Sequence, residues 1–458
     1  MTRKRIKISP VLIAINLLIL ILIVVFYTTR LVKYYVAENG NDDKDAKILL
    51  VDKIIKKQSY VDLTTGLIFD EEKNIYRYKG QVEDNYLLYS GILYRVIAID
   101  NENNIRLVSD KSLTLMYSGL ENGFEKSYIN KWLNLSDEKH SGIFENTMYE
   151  KNDLLSYTYM CDDTIEDLLE ITCNENNNEY KITTLSLYDY FEAGGKESYL
   201  NNGEAFYLNT LNTEKNNYYI SAEGEVGIND KTTKIYGLRP VITINSNALL
   251  IDGKGTKDNP YIIEKHDIST LKDLYIGDII KLSDQNFKVL ELLDDKIKVV
   301  SVDAITNGEN KIEQQFDKSS NRYSAKNSIG TYLNGTYFKS LEESKYIVNS
   351  PWYILMPSIS DLDYASKYND KVNANIGMLS ISDLFIGDVY NVFTITGGME
   401  SSNIINVINE EGKVFGDLVT KKYNVRPSFY LKSNVSITSG KGTIAEPYVL
   451  GEINEEKE

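Results

Sequence analysis

The sequence predicts an α+β protein in which an N-terminal transmembrane helix precedes two tandem repeats of a compact mixed domain with an antiparallel sheet. Three observations carry that expectation. The run 11–26 is apolar at every position except Asn16. The stretch "GLRPVITINSNALLIDGKGTKDNPYII" at 237–263 returns as "NVRPSFYLKSNVSITSGKGTIAEPYVL" at 424–450, without a gap at a shift of 187 (426 − 239). Both copies open on two β-branched runs around an acidic or Asn-rich turn and later place a Ser-x-x-Asp helix start, so strands and short helices share each copy.

Counted outward to 8–28, the apolar run is about 21 residues, or roughly 31 Å of helix, against a hydrocarbon core of about 30 Å. Arg3, Lys4, Arg5 and Lys7 precede it, whereas Arg30 and Lys33 follow. The positive-inside rule then places the tail in the cytoplasm and the body outside. "FYTTRLVKYY" lacks a small-x-small cleavage pattern, which favours an uncleaved signal-anchor over a leader. The expected organisation is a cytoplasmic tail at 1–10, an anchor at 11–28, a polar juxtamembrane stalk at 29–74, repeats at 75–264 and 268–451, and a tail at 452–458. The localisation that follows is a single-pass cell-membrane protein with an extracytoplasmic body.

The duplication extends beyond the endings. "LYRVIAIDNENNIRLVSD" from Leu93 corresponds to "NFKVLELLDDKIKVVSVD" from Asn286, and "INKWLN" ending at Asn134 corresponds to "IGTYLN" ending at Asn334. "TLSLYDYF" at 184–191 answers "MLSISDLF" at 378–385, and "ISAEGEVG" around Gly224 answers "INEEGKVF" around Gly412. Preserved order of several motifs is the mark of a tandem repeat. Ser186 with Asp189, and Ser380 with Asp383, have capping-box spacing. Arg239 and Arg426 each stand before a proline that holds the backbone extended.

Composition narrows function mainly by exclusion. A chain of 458 residues, 42% apolar with only 7 prolines, fits two folded domains. Its net charge of −16 repels nucleic acid. The two histidines, His140 and His266, fall at non-matching places, so the repeats share neither a His-based zinc site nor a Ser-His-Asp set. "GKGT" lacks the spacing of a phosphate loop. Among 66 Asp and Glu a glycosidase-like pair could always be chosen afterwards, which makes acidity uninformative. We therefore assign no catalytic residue, metal or cofactor. The 35 tyrosines accompany abundant Asn, Ile and Lys, as AT-rich codon usage produces, and by number alone say nothing of sugar binding. Cys161 and Cys173 are expected to form a disulfide, closing a loop of about 13 residues for roughly 3 kcal/mol.

The order W-L-N, then L-S-x-x-D-Y with A-G-G and S-Y-L-N, then R-P-V-I and G-x-G-T-x-x-x-P-Y resembles an uncharacterised surface-domain family of low-GC Gram-positive bacteria. Repeat 1 carries it best; repeat 2 has Tyr332 for the Trp, Leu384 for the Tyr, and no A-G-G. The Gly-turn strand leading to R-P is distantly similar to C-type-lectin-like domains. The resemblance implies a compact α+β fold on the bacterial cell surface and brings no activity. The function expected is recognition or adhesion, binding a cell-wall glycan, another surface polymer or a protein; a cell-envelope enzyme and a scaffold subunit are the alternatives. Candidate ligand residues are Phe206, Tyr207 and Asn209 within "YLNNGEAFYLNT", Thr396 within "VFTITGGMESSN", and Arg239 and Arg426. The expected partners are the membrane, through the single N-terminal span, and that surface ligand, with no nucleic acid.

Overall fold

The β-branched runs that open and close each copy become strands, laid down in the same order twice. The computed structural model describes residues 48–119, 123–134, 143–161, 164–165, 167–168, 171–173, 175–176, 180–229, 234–265, 267–356, 370–398 and 401–454. In the first copy the principal strands are β1 (Tyr86–Tyr89), β2 (Ile92–Ile99), β3 (Ile105–Ser109), β4 (Thr114–Tyr117) and β5 (Phe206–Asn212). They continue as β6 (Asn217–Ile220), β7 (Val226–Ile228), β8 (Ile235–Leu238), β9 (Pro240–Ile244) and β10 (Tyr261–Ile262). The second copy repeats them as β11 (Ile279–Leu282), β12 (Gln285–Leu292), β13 (Lys296–Ser301), β14 (Glu313–Gln315) and β15 (Val392–Gly398). Its last five are β16 (Ile404–Ile408), β17 (Val414–Leu418), β18 (Lys422–Asn424), β19 (Ser428–Lys432) and β20 (Tyr448–Ile453).

Each copy holds two sheets. One runs β10-β1-β2-β3-β9, matched by β20-β11-β12-β13-β19; the other runs β7-β6-β5-β8-β4, matched by β17-β16-β15-β18-β14. Even the irregularities recur. Register slips between Val96 and Ala98 and again between Val289 and Glu291; it slips between Tyr207 and Leu211 and again between Phe393 and Gly397. A bulge redirects a strand and its side chains, so bulges at matching places give the two copies one geometry.

The shared motifs have local causes. Asn134 donates to the Ile182 carbonyl at 2.8 Å and accepts from its N–H at 3.0 Å; Asn334 does the same to Ile376, at 3.0 Å each way. The Asn of W-L-N thus stands in for a missing strand partner. In "GKGT", Gly253 and Gly440 have φ of +99° and +106°, and a side chain there would run into the carbonyl of Pro260 or Pro447. The left-handed turn needs glycine, and it brings β10 or β20 alongside the first strand of its own copy, with Tyr261 opposite Leu87 and Tyr448 opposite Ile280.

The α+β, C-type-lectin-like expectation is corrected. Of the described residues 41% are strand and 14% helix, and helices such as α1 (Tyr128–Leu133), α2 (Leu187–Glu192) and α3 (Ser328–Thr331) are one or two turns long. Ser186 and Asp189 do form a full capping box on α2. Ser380 and Asp383 make the same hydrogen bond, Ser380 N–H to Asp383 Oδ2 at 2.9 Å, but no helix grows from it. Gly387, at φ +71° and pressed on the Val302 carbonyl, turns the chain away.

The membrane expectation is corrected too. Among the described residues no helix is long and apolar enough to cross a membrane. The span expected at 11–28 and the tail at 1–10 lie outside those residues, so the structure gives single-pass localisation no support. Part of the expected stalk belongs to the body. Helix Leu50–Ile55 buries Leu50, Val51 and Ile54 in the core, and the hairpin of Gly66–Asp70 with Ile75–Lys79 extends the first sheet through Tyr76 opposite Ile99.

The two copies share a core. Leu271 through Tyr448 contribute a cluster of their own, but the first copy's cluster also takes in Leu379, Ile381, Leu384, Phe385 and Val389 of the second. Leu115 and Phe385 exchange both backbone hydrogen bonds, at 2.7 and 2.8 Å, and the Thr114 hydroxyl donates to the Phe385 carbonyl.

Candidate ligand site between the repeats

Two hollows lie where the copies meet, beside the Leu115–Phe385 junction. On one side a cleft of about 570 Å³ is walled by Ser112, Glu204, Lys234 and Tyr236 from the first copy and by Tyr390 and Glu411 from the second. On the other a cavity of about 410 Å³ is bounded by Asp110 and Lys257 of the first copy and by Asp278 and Lys288 of the second. Ser112, Leu113 and Ile386 touch both and form the partition.

The cleft's aromatic wall is prepared from below. Tyr236 on β8 stacks on Tyr219 with centroids 4.4 Å apart and meets Tyr207 edge-on at 5.1 Å, so its ring is held by packing. Facing it from the other copy, Tyr390 is 47% exposed. A side chain on Gly412 would sit 2.9 Å from the Tyr390 ring, so the glycine of the E-G-K turn leaves that ring its place. Glu204 accepts from the Ser112 N–H at 2.7 Å and lies 3.5 Å from Lys111; Glu411 lies 3.0 Å from Lys413. Each carboxylate thereby has a lysine beside it and stands where it can accept hydrogen bonds. The Ser112 hydroxyl is enclosed at the partition without a hydrogen-bond partner, packed against Gly237.

The residues expected from sequence to bind ligand lie elsewhere. Phe206, Tyr207 and Asn209 sit on β5, buried between β6 and β8. The Asn209 amide donates to the Thr184 carbonyl at 2.8 Å, and the Tyr207 hydroxyl donates to the Lys234 carbonyl at 2.9 Å, which braces the cleft from behind. Thr396, fully buried on β15, accepts at its carbonyl from Asn406 at 3.0 Å. Arg239 is enclosed above Phe206 and donates to the carbonyls of Ser109 at 2.9 Å and Leu200 at 2.7 Å. Arg426 donates to the carbonyls of Ser301 at 2.6 Å, Val302 at 3.1 Å and Ile386. Burial pulls both guanidiniums down to about 10, against the pull of Asp110 and Glu204 on one and of Asp388 and Asp303 on the other. Both remain charged at neutral pH and tie loops together, and neither is among the residues lining the cleft.

Cys161 and Cys173 are joined by a disulfide with Cα atoms 4.8 Å apart, within a segment of the first copy where Met160–Cys161 pairs with Glu175–Asn176. Lys288 is the unusual charge of the second hollow. It occupies the place that Arg95 holds in the first copy, where Arg95 reaches Asn85, Tyr86, Asp110 and the Val82 carbonyl. Lys288 instead donates across the junction to the Leu113 carbonyl, and burial, reinforced by Arg426, pulls its amine down to about 7.

Sequence reasoning missed Ser112, Lys234, Tyr236 and Tyr390, and it read Glu411 and Gly412 only as a turn. The cleft assembles from segments far apart in the chain, and only Glu204 fell inside a stretch singled out for its composition. No family model matches the chain, and neither does any curated protein or solved structure.

Proposed function

We propose that the protein is a binding protein whose ligand, an extended polar polymer such as a glycan, lodges in the cleft between the repeats. One observation carries this reading: the cleft exists only where the copies meet, with an aromatic ring from each side and carboxylates already paired to lysines. Tyrosine faces stack on the apolar faces of sugar rings, while Glu204 and Glu411 offer hydrogen bonds to their hydroxyls. The weight rests on where two tyrosines stand and not on how many the chain has.

Retention of the whole chain on an array of soluble glycans and peptides tests it. Tyr236→Ala and Tyr390→Ala are each expected to weaken capture of the bound glycan by about tenfold, equivalent to roughly 1.4 kcal/mol, with unchanged melting in Tyr390→Ala and a lowered melting temperature in Tyr236→Ala, which also loses its stack on Tyr219. Capture that survives both substitutions, or release of cleaved product from the array, overturns the reading.

A further inference from the structure

The row of residues across the first sheet of each copy differs in one chemically decisive way. In the first copy Ala98 on β2 stands opposite Arg106 on β3, and Arg106 lies 3.0 Å from Asp189 of the capping box. In the second copy Glu291 on β12 stands opposite Lys298 on β13, and the Lys298 amine lies 3.1 and 3.2 Å from the two oxygens of Asp383. Lys298 is flanked on its other side by Tyr430 of β19, and the Trp352 ring lies 5.6 Å from its amine and 5.4 Å from Tyr430. An Ala-Arg-Asp set beneath the Tyr159 ring has become Glu-Lys-Asp beneath Tyr430 and Trp352. Arginine with aspartate makes a permanent ion pair. An amine against a carboxyl, beside a second carboxyl and away from bulk water, is the set needed to make an amide.

We propose that Lys298 and Asp383 join in an intramolecular isopeptide bond, with Glu291 as the proton relay. Residues directly opposite on antiparallel strands have Cβ atoms about 5 Å apart, which puts the Glu291 carboxyl within reach of the reacting amine. Burial raises Glu291 from its ordinary value, against the pull of Lys298, and so favours the protonated form that the relay needs. Burial works against the charge on Lys298, but Asp383 in contact with it holds the ammonium above its usual range. The first step is therefore transfer of a proton from the Lys298 ammonium to Asp383 within the pair, giving a neutral amine and a neutral acid. A poorly solvated site tolerates that neutral pair. The amine then attacks Cγ of Asp383. Glu291 gives its proton to the departing hydroxyl and takes one from the nitrogen, returning to its starting state. One C–N bond forms, one C–O bond breaks and one water leaves, with no oxidant or cofactor required. The Ser380 N–H and hydroxyl, 2.9 and 3.2 Å from Asp383 Oδ2, hold the oxygen that becomes the amide carbonyl and stabilise charge developing on it. The cap therefore survives the reaction. The bond ties β13 in one sheet to the turn preceding β15 in the other.

The test is the intact mass of the whole chain, reduced and denatured, with peptide mapping. The expected result is a mass lower than the sequence by one water, and a branched peptide joining Lys298 to Asp383. Both signals are expected to vanish in Lys298→Arg, which recreates the pair already present as Arg106 with Asp189 and so keeps the fold, and in Glu291→Gln. Sequence mass with Lys298 and Asp383 in separate, unmodified peptides overturns the proposal. A water loss that persists in Lys298→Arg overturns it as well, since that marks cyclisation at an aspartate. A cross-link formed in full by Glu291→Gln removes the relay.

Discussion

Phe385→Asp is expected to cost at least about 4 kcal/mol of unfolding free energy and to abolish ligand capture, because one substitution strikes the shared core directly beside Ile386, a residue of the partition of the cleft. Phe385 is 1% exposed and packs in the first copy's cluster although it belongs to the second. Losing its burial accounts for about 1.5–3 kcal/mol, and an unpaired carboxylate in its place adds several more. Phe385→Leu keeps most of the apolar contact and is expected to cost about 1.5 kcal/mol or less. Urea unfolding of the two variants beside the parent measures the difference. Near-equal midpoints for Asp and Leu would mean that the copies do not depend on this junction. The same contact predicts that residues 268–451 expressed alone expose Leu384 and Phe385 and associate, which sedimentation at rising concentration reads out.

Lys288→Met is expected to stabilise the protein, and to do so most below neutrality. The native amine titrates near 7 and the unfolded one near 10.5. Between those values the unfolded chain keeps a proton that the native chain has shed, so the parent's stability rises with pH across about 7 to 10.5 and is at its lowest, and flat, below 7. At about 1.4 kcal/mol for each tenfold change in proton affinity, the buried charge costs on the order of 4–5 kcal/mol below pH 7. Methionine removes that cost but leaves the Leu113 carbonyl without its donor, a loss of about 1–3 kcal/mol. The net gain is then on the order of 2 kcal/mol at pH 6, shrinking and reversing sign as pH approaches 10. Denaturant unfolding at pH 6 and pH 10 checks it; a gain that does not depend on pH would place the lysine charge elsewhere than in the junction.

The duplication was legible because its most constrained residues serve backbone geometry. Gly253 and Gly440 are fixed by left-handed turns, Asn134 and Asn334 by strand ends, and Arg239 and Arg426 by loop carbonyls. The balance of helix and strand was misread because L-S-x-x-D looks the same whether a six-residue helix follows, as after Ser186, or a bare turn, as after Ser380. The burial of the candidate ligand residues was not legible for a different reason. Phe206, Tyr207 and Asn209 look like a polar aromatic loop, yet they lie in a central strand buried on both faces, where Asn209 and Thr210 bond inward to the Thr184 carbonyl and the Leu187 N–H. What makes the cleft is that Tyr236 of one copy and Tyr390 of the other line one hollow, a property of how two copies lean on each other, which no local pattern encodes.

The last strand of each copy lies parallel to its first, Tyr261 against Leu87 and Tyr448 against Ile280. During synthesis this order matters, because a ribosome delivers the first strand long before the one that completes its pairing. The emerging amino-terminal half must wait with an open edge until the "GKGT" turn and the Pro-Tyr strand have left the exit tunnel, and closing so long a loop is slow. Translation arrested anywhere before Tyr261 would therefore hold a copy whose opening sheet still seeks a neighbour, and a holdase that shields exposed strands is the kind of helper such a chain would engage.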